Sequence, residues 1–246
     1  MAQNIYDDEA FFQAYGQLPR SAEGLPAAPE WPALRAMLPP MHGLRVVDLG
    51  SGLGWFCRWA ADAGAEHVLG IDLSEKMLAS ARAATRHGQV HYERQDLDAL
   101  VLPPLAFDVA YSSLTLHYLA HLDDFLAAVA HAVVPGGVFI CSIEHPVFTA
   151  PSEPAFVDGP RGHGHPVWPL DGYFAEGART TDWLAPGVVK HHRTVGTYVT
   201  ALLEAGFALT SFVEWQPSAD DLVAHPEWAV EAERPSFLLL GATRLP

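Results

Sequence analysis

The segment Val46-Val47-Asp48-Leu49-Gly50-Ser51-Gly52-Leu53-Gly54 restricts the fold of this chain more than any other. An apolar run ends in an acid, three glycines follow at alternate positions, and residues 55–63 then have helical character. That order reads as a buried strand, a tight turn and the start of a helix. Glycines let backbone approach a ligand closely, and the free N–H groups of a helix N-terminus point at whatever sits there. Such a turn belongs at the end of a parallel strand, so neighbouring strands and crossover helices are expected around it.

The rest of the chain supplies them. Residues 45–49, 67–71, 90–94, 107–112 and 138–143 read as strands. Ser74 is placed to cap a helix over 75–85, and 123–133 reads as a helix stopped by Pro135-Gly136-Gly137. The alternation predicts an α/β fold, a doubly wound and mostly parallel sheet with helices on both faces. Residues 9–15 read as a short helix, followed by a proline-rich linker over 18–40. Residues 1–42 are therefore expected to form an N-terminal cap, and 43–246 the main domain. The pattern breaks over 146–190, where seven prolines and six glycines fall among Trp168, Tyr173, Phe174 and Trp183; a long irregular segment inside a compact domain is expected to be a lid or binding loop. A helix over 194–205, a strand over 207–215, a polar helical stretch over 219–233 and a strand over 236–242 complete the chain, the last two strands as an antiparallel hairpin at the sheet edge.

The spacing of the glycines separates two ligand classes. A dinucleotide fingerprint, G-x-G-x-x-G, uses its third glycine for close helix–strand packing. Here that place holds Trp55, and the pattern is D-x-G-x-G-x-G with Asp48 ahead of the loop. A carboxylate there opposes a pyrophosphate and suits an ammonium. Asp72 ends the second strand, at a distance from the loop where an acid accepts hydrogen bonds from ribose hydroxyls. Asp96 ends the third, placed to accept from an exocyclic amine while Leu97 offers its N–H. Three acids at successive strand ends describe a nucleoside site with a cationic tail.

With these residues the chain resembles the class I S-adenosylmethionine-dependent methyltransferases. The resemblance rests on 48–54, Asp72, Asp96, Phe107-Asp108-Val109 with Ser112-Ser113-Leu114, and Pro135-Gly136-Gly137. It is clear over 43–145 and looser through 194–207 and the last strand. It implies a seven-stranded sheet of order 3-2-1-4-5-7-6 with strand 7 antiparallel. It also implies S-adenosyl-L-methionine as cofactor and S-adenosyl-L-homocysteine as product. The cofactor would be held by Tyr15, Arg20, Asp48, Gly50, Gly52, Gly54, Asp72, Leu73, Met77, Asp96, Leu97 and Ser112, with Arg20 meeting its carboxylate and Phe11, Phe12 and Tyr15 folded over it.

Methyl transfer is an in-line displacement, so candidate bases belong near the ends of strands 4 and 5 or on the lid. Those residues are His117, Glu144, His145 and His192. Trp168, Tyr173 and Trp183 are expected to wall a pocket for a small aromatic or heterocyclic acceptor, indoles among the choices, methylated on N, O or C. The binding-only alternative is a cofactor sensor or partner subunit on the same fold; an NAD-dependent oxidoreductase is disfavoured by Trp55. His163-Gly164-His165 and His191-His192 raise a metal site, but their clustering in one segment lacks a ligand pattern, and no metal is expected.

Composition narrows the partners. There are 29 acidic against 14 basic residues, a formal charge of −15, and the only lysines are Lys76 and Lys190. Without a basic run, neither nucleic acid nor an anionic membrane surface is an expected partner. No apolar stretch is long enough to span a membrane, and the acidic N-terminus does not read as a signal peptide. Cys57 and Cys141 sit in apolar contexts and are expected as buried thiols. A cytoplasmic monomer or homodimer acting on a small molecule is the resulting expectation.

Overall fold

In the computed structural model, which describes residues 3–159 and 165–246, a seven-stranded sheet runs through the centre of the chain. Its parallel strands are β1 (Arg45–Leu49), β2 (His67–Asp72), β3 (Val90–Arg94), β4 (Phe107–Ser113) and β5 (Val133–Glu144). Short pairs follow: β6 (Val157–Asp158) with β7 (Pro166–Val167), and β8 (Gly177–Thr181) with β9 (Val188–His192). The sheet closes with β10 (Phe207–Glu214) and β11 (Phe237–Arg244), giving the order β10-β11-β5-β4-β1-β2-β3. β11 runs antiparallel to both neighbours. This is the order and the antiparallel seventh strand that the resemblance implied.

The helices are α1 (Glu9–Gly16), α2 (Pro19–Ala22), α3 (Trp31–Met37), α4 (Trp55–Asp62), α5 (Glu75–Ala84), α6 (Leu122–Ala132), α7 (Pro146–Thr149), α8 (Val195–Glu204) and α9 (Ala219–Ala224). Alternating side chains of the central strands feed two cores. Val46, Val68, Val109 and Leu239 face Trp31, Leu34, Phe56 and Ala60 of α3 and α4. Val47, Leu69, Ala110 and Leu240 join Phe125, Val129, Tyr198 and Leu202 of α6 and α8 on the other face. Burial on both faces explains why β1 and β11 are nearly continuous apolar runs.

Three local expectations are corrected. The proline-rich segment 18–40 is largely helical: α2, α3 and a 3-10 turn over Leu25–Ala27 each carry a proline at their first positions. A proline there loses no hydrogen bond, and its fixed φ suits the first turn. Trp31, Leu34 and Met41 lie in the core, whereas residues from Gln3 to Pro29 reach the cavity described below. α6 stops at Val133, and Pro135-Gly136-Gly137 lies within β5, where the register beside β4 jumps from Phe107–Val133 to Val109–Val138. The polar stretch after β10 divides into α9 and a 3-10 segment, Pro226–Glu233.

Cys57 and Cys141 are buried and free. No described helix is long and apolar enough to cross a membrane.

Candidate active site

A cavity of about 530 Å³ opens at the carboxyl ends of β1, β2 and β4. One half is built on the glycine turn. Gly50, Gly52 and Gly54 have φ of 87°, 50° and 73°, in the left-handed region that favours glycine. A Cβ on Gly50 would lie 2.1 Å from the Thr115 hydroxyl, whereas one on Gly52 would meet nothing within 4 Å and would project into open space. Gly54 and Ser112 do not line the cavity. A Cβ on Gly54 would lie 2.2 Å from the Tyr92 hydroxyl, so that glycine serves helix packing, and the Ser112 hydroxyl donates to the Leu49 carbonyl at 2.7 Å.

Asp48, Asp72 and Asp96 all border this half. Asp72 accepts the Gly52 N–H at 2.8 Å and the Ser74 N–H at 2.9 Å, one on each oxygen, and so ties the glycine turn to the start of α5. Burial raises its pKa, against the opposing effect of those two donors. Asp96 accepts the Asp98 N–H at 3.1 Å. Asp48 is 2% exposed and among the described residues receives only the Cys57 thiol, at 3.3 Å, and burial pushes its carboxyl up to about 7. The folded chain then holds a proton that the unfolded chain releases, so Asp48 makes stability fall as pH rises from about 4 through about 7. Melting temperatures across this range should show that fall in the ligand-free protein and a weaker one in Asp48→Asn. Identical profiles would contradict the assignment.

Leu73, Met77 and Leu97 supply an apolar wall, and Tyr15 and Arg20 reach the cavity from the N-terminal segment. Arg20 is not a free cation: its Nη2 donates to both oxygens of buried Glu30, at 3.0 and 2.8 Å. Trp55 also lines the cavity. Its indole N–H donates to the Ser21 carbonyl at 3.2 Å and its ring covers Gly24, so the residue that breaks the dinucleotide pattern docks the N-terminal segment onto the turn.

The other half is aromatic. Tyr6, Tyr118 and Trp183 line it, with the Tyr6 and Tyr118 hydroxyls 3.3 Å apart. Phe11 packs beneath, edge-on to Tyr6 and Trp183. Glu144, at the end of β5, has Oε1 2.6 Å from Lys190 Nζ, while Oε2 is buried with no hydrogen-bond partner among the described residues. Lys190 is 4% exposed, and its ammonium stands 4.8 Å from the centre of the Trp183 ring. His117 closes the group: its Nδ1 accepts the Glu144 N–H at 3.3 Å, and its Nε2 lies 4.0 Å from Glu144 Oε2. Burial depresses its pKa to about 4, so the ring is neutral at pH 7.

Residues 47–141 match the family described as "Methyltransferase domain". A solved S-adenosylmethionine dependent methyltransferase from Mesorhizobium loti is 54% identical, covering 90% of this chain and 100% of its own, with a TM-score of 0.86. This chain belongs to the class I S-adenosylmethionine-dependent methyltransferases. A solved putative methyltransferase of the same kind from Listeria monocytogenes is 42% identical over 89% of this chain and 100% of its own, with a TM-score of 0.80. A curated ubiquinone biosynthesis O-methyltransferase from Sinorhizobium medicae is 38% identical over 42% of this chain and 43% of its own length.

Two of the four candidate bases of this methyltransferase face the cavity, His117 and Glu144. The other two are held elsewhere. His145 caps α7, accepting the Val147 N–H at 3.0 Å on Nδ1, and its Nε2 is 3.1 Å from Glu214. His192 lies between the Thr149 hydroxyl, 2.8 Å from Nδ1, and the Tyr173 carbonyl, 2.9 Å from Nε2. Burial lowers the pKa of both rings. His145→Ala and His192→Ala are expected to lose about 1–3 kcal/mol of stability in urea, because buried polar partners are left unpaired. Affinity for S-adenosylhomocysteine should stay unchanged in both; its loss would place them at the cofactor instead. Of the three lid aromatics expected to wall the pocket, only Trp183 does. The Trp168 indole N–H donates to the Val147 carbonyl, and the Tyr173 hydroxyl accepts the Val195 N–H. Among the described residues no cluster of His, Cys, Asp or Glu is placed to hold a metal; His163 and Gly164 lie outside them.

Tyr6, Tyr118, Lys190, Trp215, Trp228 and Arg234 were not singled out by sequence. For Lys190 a signal existed. In a strand over 188–192, alternation puts residues 188, 190 and 192 on one face, and β9 buries those three.

Proposed function

We propose that this methyltransferase transfers a methyl group from S-adenosylmethionine to the hydroxyl of a small, flat, aromatic or heterocyclic acceptor held between Tyr6, Tyr118 and Trp183. The observation that carries the reading is one continuous cavity, with three strand-end carboxylates at one end and Glu144 at the other. The residues fit the cofactor. The open space at Gly52 admits a ligand against the backbone, Asp72 and Asp96 have acceptor capacity for ribose and adenine donors, and Asp48 is a buried carboxyl to which an ammonium would restore charge. Gly50 shapes the turn, Tyr15, Leu73, Met77 and Leu97 would line the bound cofactor, and Arg20, paired with Glu30, would supply the positive charge for its carboxylate. When bound, the cofactor supplies an already activated methyl group.

The chain's own contribution is then position and a proton acceptor. Alignment by the aromatic walls can supply up to roughly 7–11 kcal/mol, and a base about 10²–10⁴-fold in rate. Glu144 suits the base: Lys190 holds one of its oxygens and leaves the other without a donor. His117 does not act as that base, since the lone pair on its Nδ1 already receives the Glu144 N–H. It holds the end of β5 in place. Oxygen as the methylated atom is favoured by the carboxylate and by the O-methyltransferase named above. That relative matches over less than half of either chain, so its acceptor is not transferred. A binding-only role would be expected to have this half of the cavity filled by the chain's own side chains, and it is open.

Labelled S-adenosylmethionine with a panel of phenols, hydroxyindoles and nitrogen heterocycles tests the reading. O-methylated product from the hydroxylated compounds is expected. Turnover on nitrogen alone would remove the O-methylation assignment, and turnover only on protein or nucleic acid would remove the small-molecule reading.

A further inference from the structure

The wall of the cavity beyond Glu144 carries a guanidinium that methyl transfer does not require. Arg234 is 8% exposed and borders the cavity with Glu231, Ser236 and Phe148. Its carbon stands 4.6 Å from the ring centre of Phe148, 5.1 Å from that of Phe156 and 4.4 Å from that of Trp168. Aromatic rings over the flat group leave its edges as the places where polar partners can bind. One edge is used: Nη1 donates to Glu231 Oε2 at 2.9 Å and to the Ser236 hydroxyl at 2.7 Å, and that hydroxyl donates to the same carboxylate. The other edge is not. Nε is buried with no acceptor, and Nη2 makes no hydrogen bond among the described residues.

A desolvated N–H without an acceptor is costly, and the Nε–Nη2 edge of a guanidinium matches the two oxygens of a carboxylate. We propose that this edge is a carboxylate subsite, and that the acceptor therefore carries a carboxylate as well as its flat ring. The proposal rests on the reading that the aromatic half of the cavity holds the acceptor. Local charge permits it. The Arg20–Glu30 and Lys190–Glu144 pairs each balance, and Glu231, the carboxylate already on Arg234, keeps 24% of its side chain exposed to solvent. With Glu231 already on the guanidinium, a singly charged carboxylate is balanced there better than a doubly charged phosphate.

Calorimetry on the protein saturated with S-adenosylhomocysteine tests the subsite with three probes: phenylacetate, its neutral isostere phenylacetamide, and phenyl phosphate. Phenylacetate is expected to bind at least about tenfold more tightly than the amide, as a bidentate charged pair should. Arg234→Gln should bring the two within about twofold. Because that variant disturbs three aromatic contacts, Glu231→Gln is the second arm: it keeps the guanidinium, removes its resident anion, and should tighten phenylacetate several-fold without changing the amide. Equal binding of the acid and the amide by the native protein overturns the carboxylate subsite and leaves the aromatic acceptor chamber standing. Tighter binding of phenyl phosphate overturns the choice of carboxylate. An unchanged phenylacetate affinity in Glu231→Gln counts against the edge assignment. Failure of every probe to bind overturns the subsite, and the labelled-methyl assay then decides the wider reading on its own.

Discussion

Replacing Lys190 with methionine is expected to cost about 3–5 kcal/mol of stability, because it strands a buried carboxylate without its cation. The side chains of Lys190 and Glu144 are 5% and 14% exposed and meet at 2.6 Å. Removing one partner leaves a charge that solvent barely reaches, whereas removing both leaves an uncharged pair of similar volume. The double variant Lys190→Met, Glu144→Gln should therefore regain most of the loss. Urea denaturation of the single and double variants at fixed pH measures the difference. A Lys190→Met variant within about 1 kcal/mol of the native protein would mean that the pair is solvated and weak, as exposed pairs are. Turnover should collapse in both variants while S-adenosylhomocysteine still binds, since among the described residues neither side chain hydrogen-bonds Asp48 or Asp72.

Asp72→Asn should weaken S-adenosylhomocysteine about 10- to 100-fold, the value of one or more hydrogen bonds to a charged acceptor. Asp72 accepts backbone N–H groups from Gly52 and Ser74 on its two oxygens. An asparagine turns an NH₂ group toward one of those donors, so the glycine turn shifts as the carboxylate charge is lost. Both effects act on the cofactor, and the acceptor half of the cavity is untouched. Isothermal titration with S-adenosylhomocysteine is the measurement. A change under about threefold would show that Asp72 serves the turn alone.

These two experiments probe sites of different legibility. Asp72, Asp48 and Asp96 were readable because each stands at or within two residues of the carboxyl end of a strand, Asp48 one before the end of β1, Asp72 last in β2 and Asp96 two past β3, and in a parallel sheet such ends converge on one edge. The alternation of strands and helices gave the class of sheet, and its order came from the family resemblance those residues carry. The chemistry of the histidines was not readable. His117, His145 and His192 look alike in sequence, yet one abuts Glu144 at the cavity and two cap or brace the lid segment. What separates them is what Nε2 meets, Glu144 at 4.0 Å for His117, Glu214 at 3.1 Å for His145 and the Tyr173 carbonyl at 2.9 Å for His192, and local sequence does not record those neighbours. Likewise the prolines of 18–40 suggested a linker because proline breaks helix interiors, but those at 19, 26 and 32 fall at helix starts, where proline is tolerated.

Sequence alone determined the class of sheet, the glycine turn proposed to receive the cofactor and the three acids that border the cavity beside it, since each depends on periodicity and on residues close together in the chain. Only the tertiary structure decided the acceptor end. Glu144 pairs with Lys190, which lies 46 residues further along, and Arg234 is enclosed by Phe148, Phe156 and Trp168 from the lid. A buried charge takes its chemistry from whichever partner folding brings within about 3 Å of it, and no local pattern records that partner.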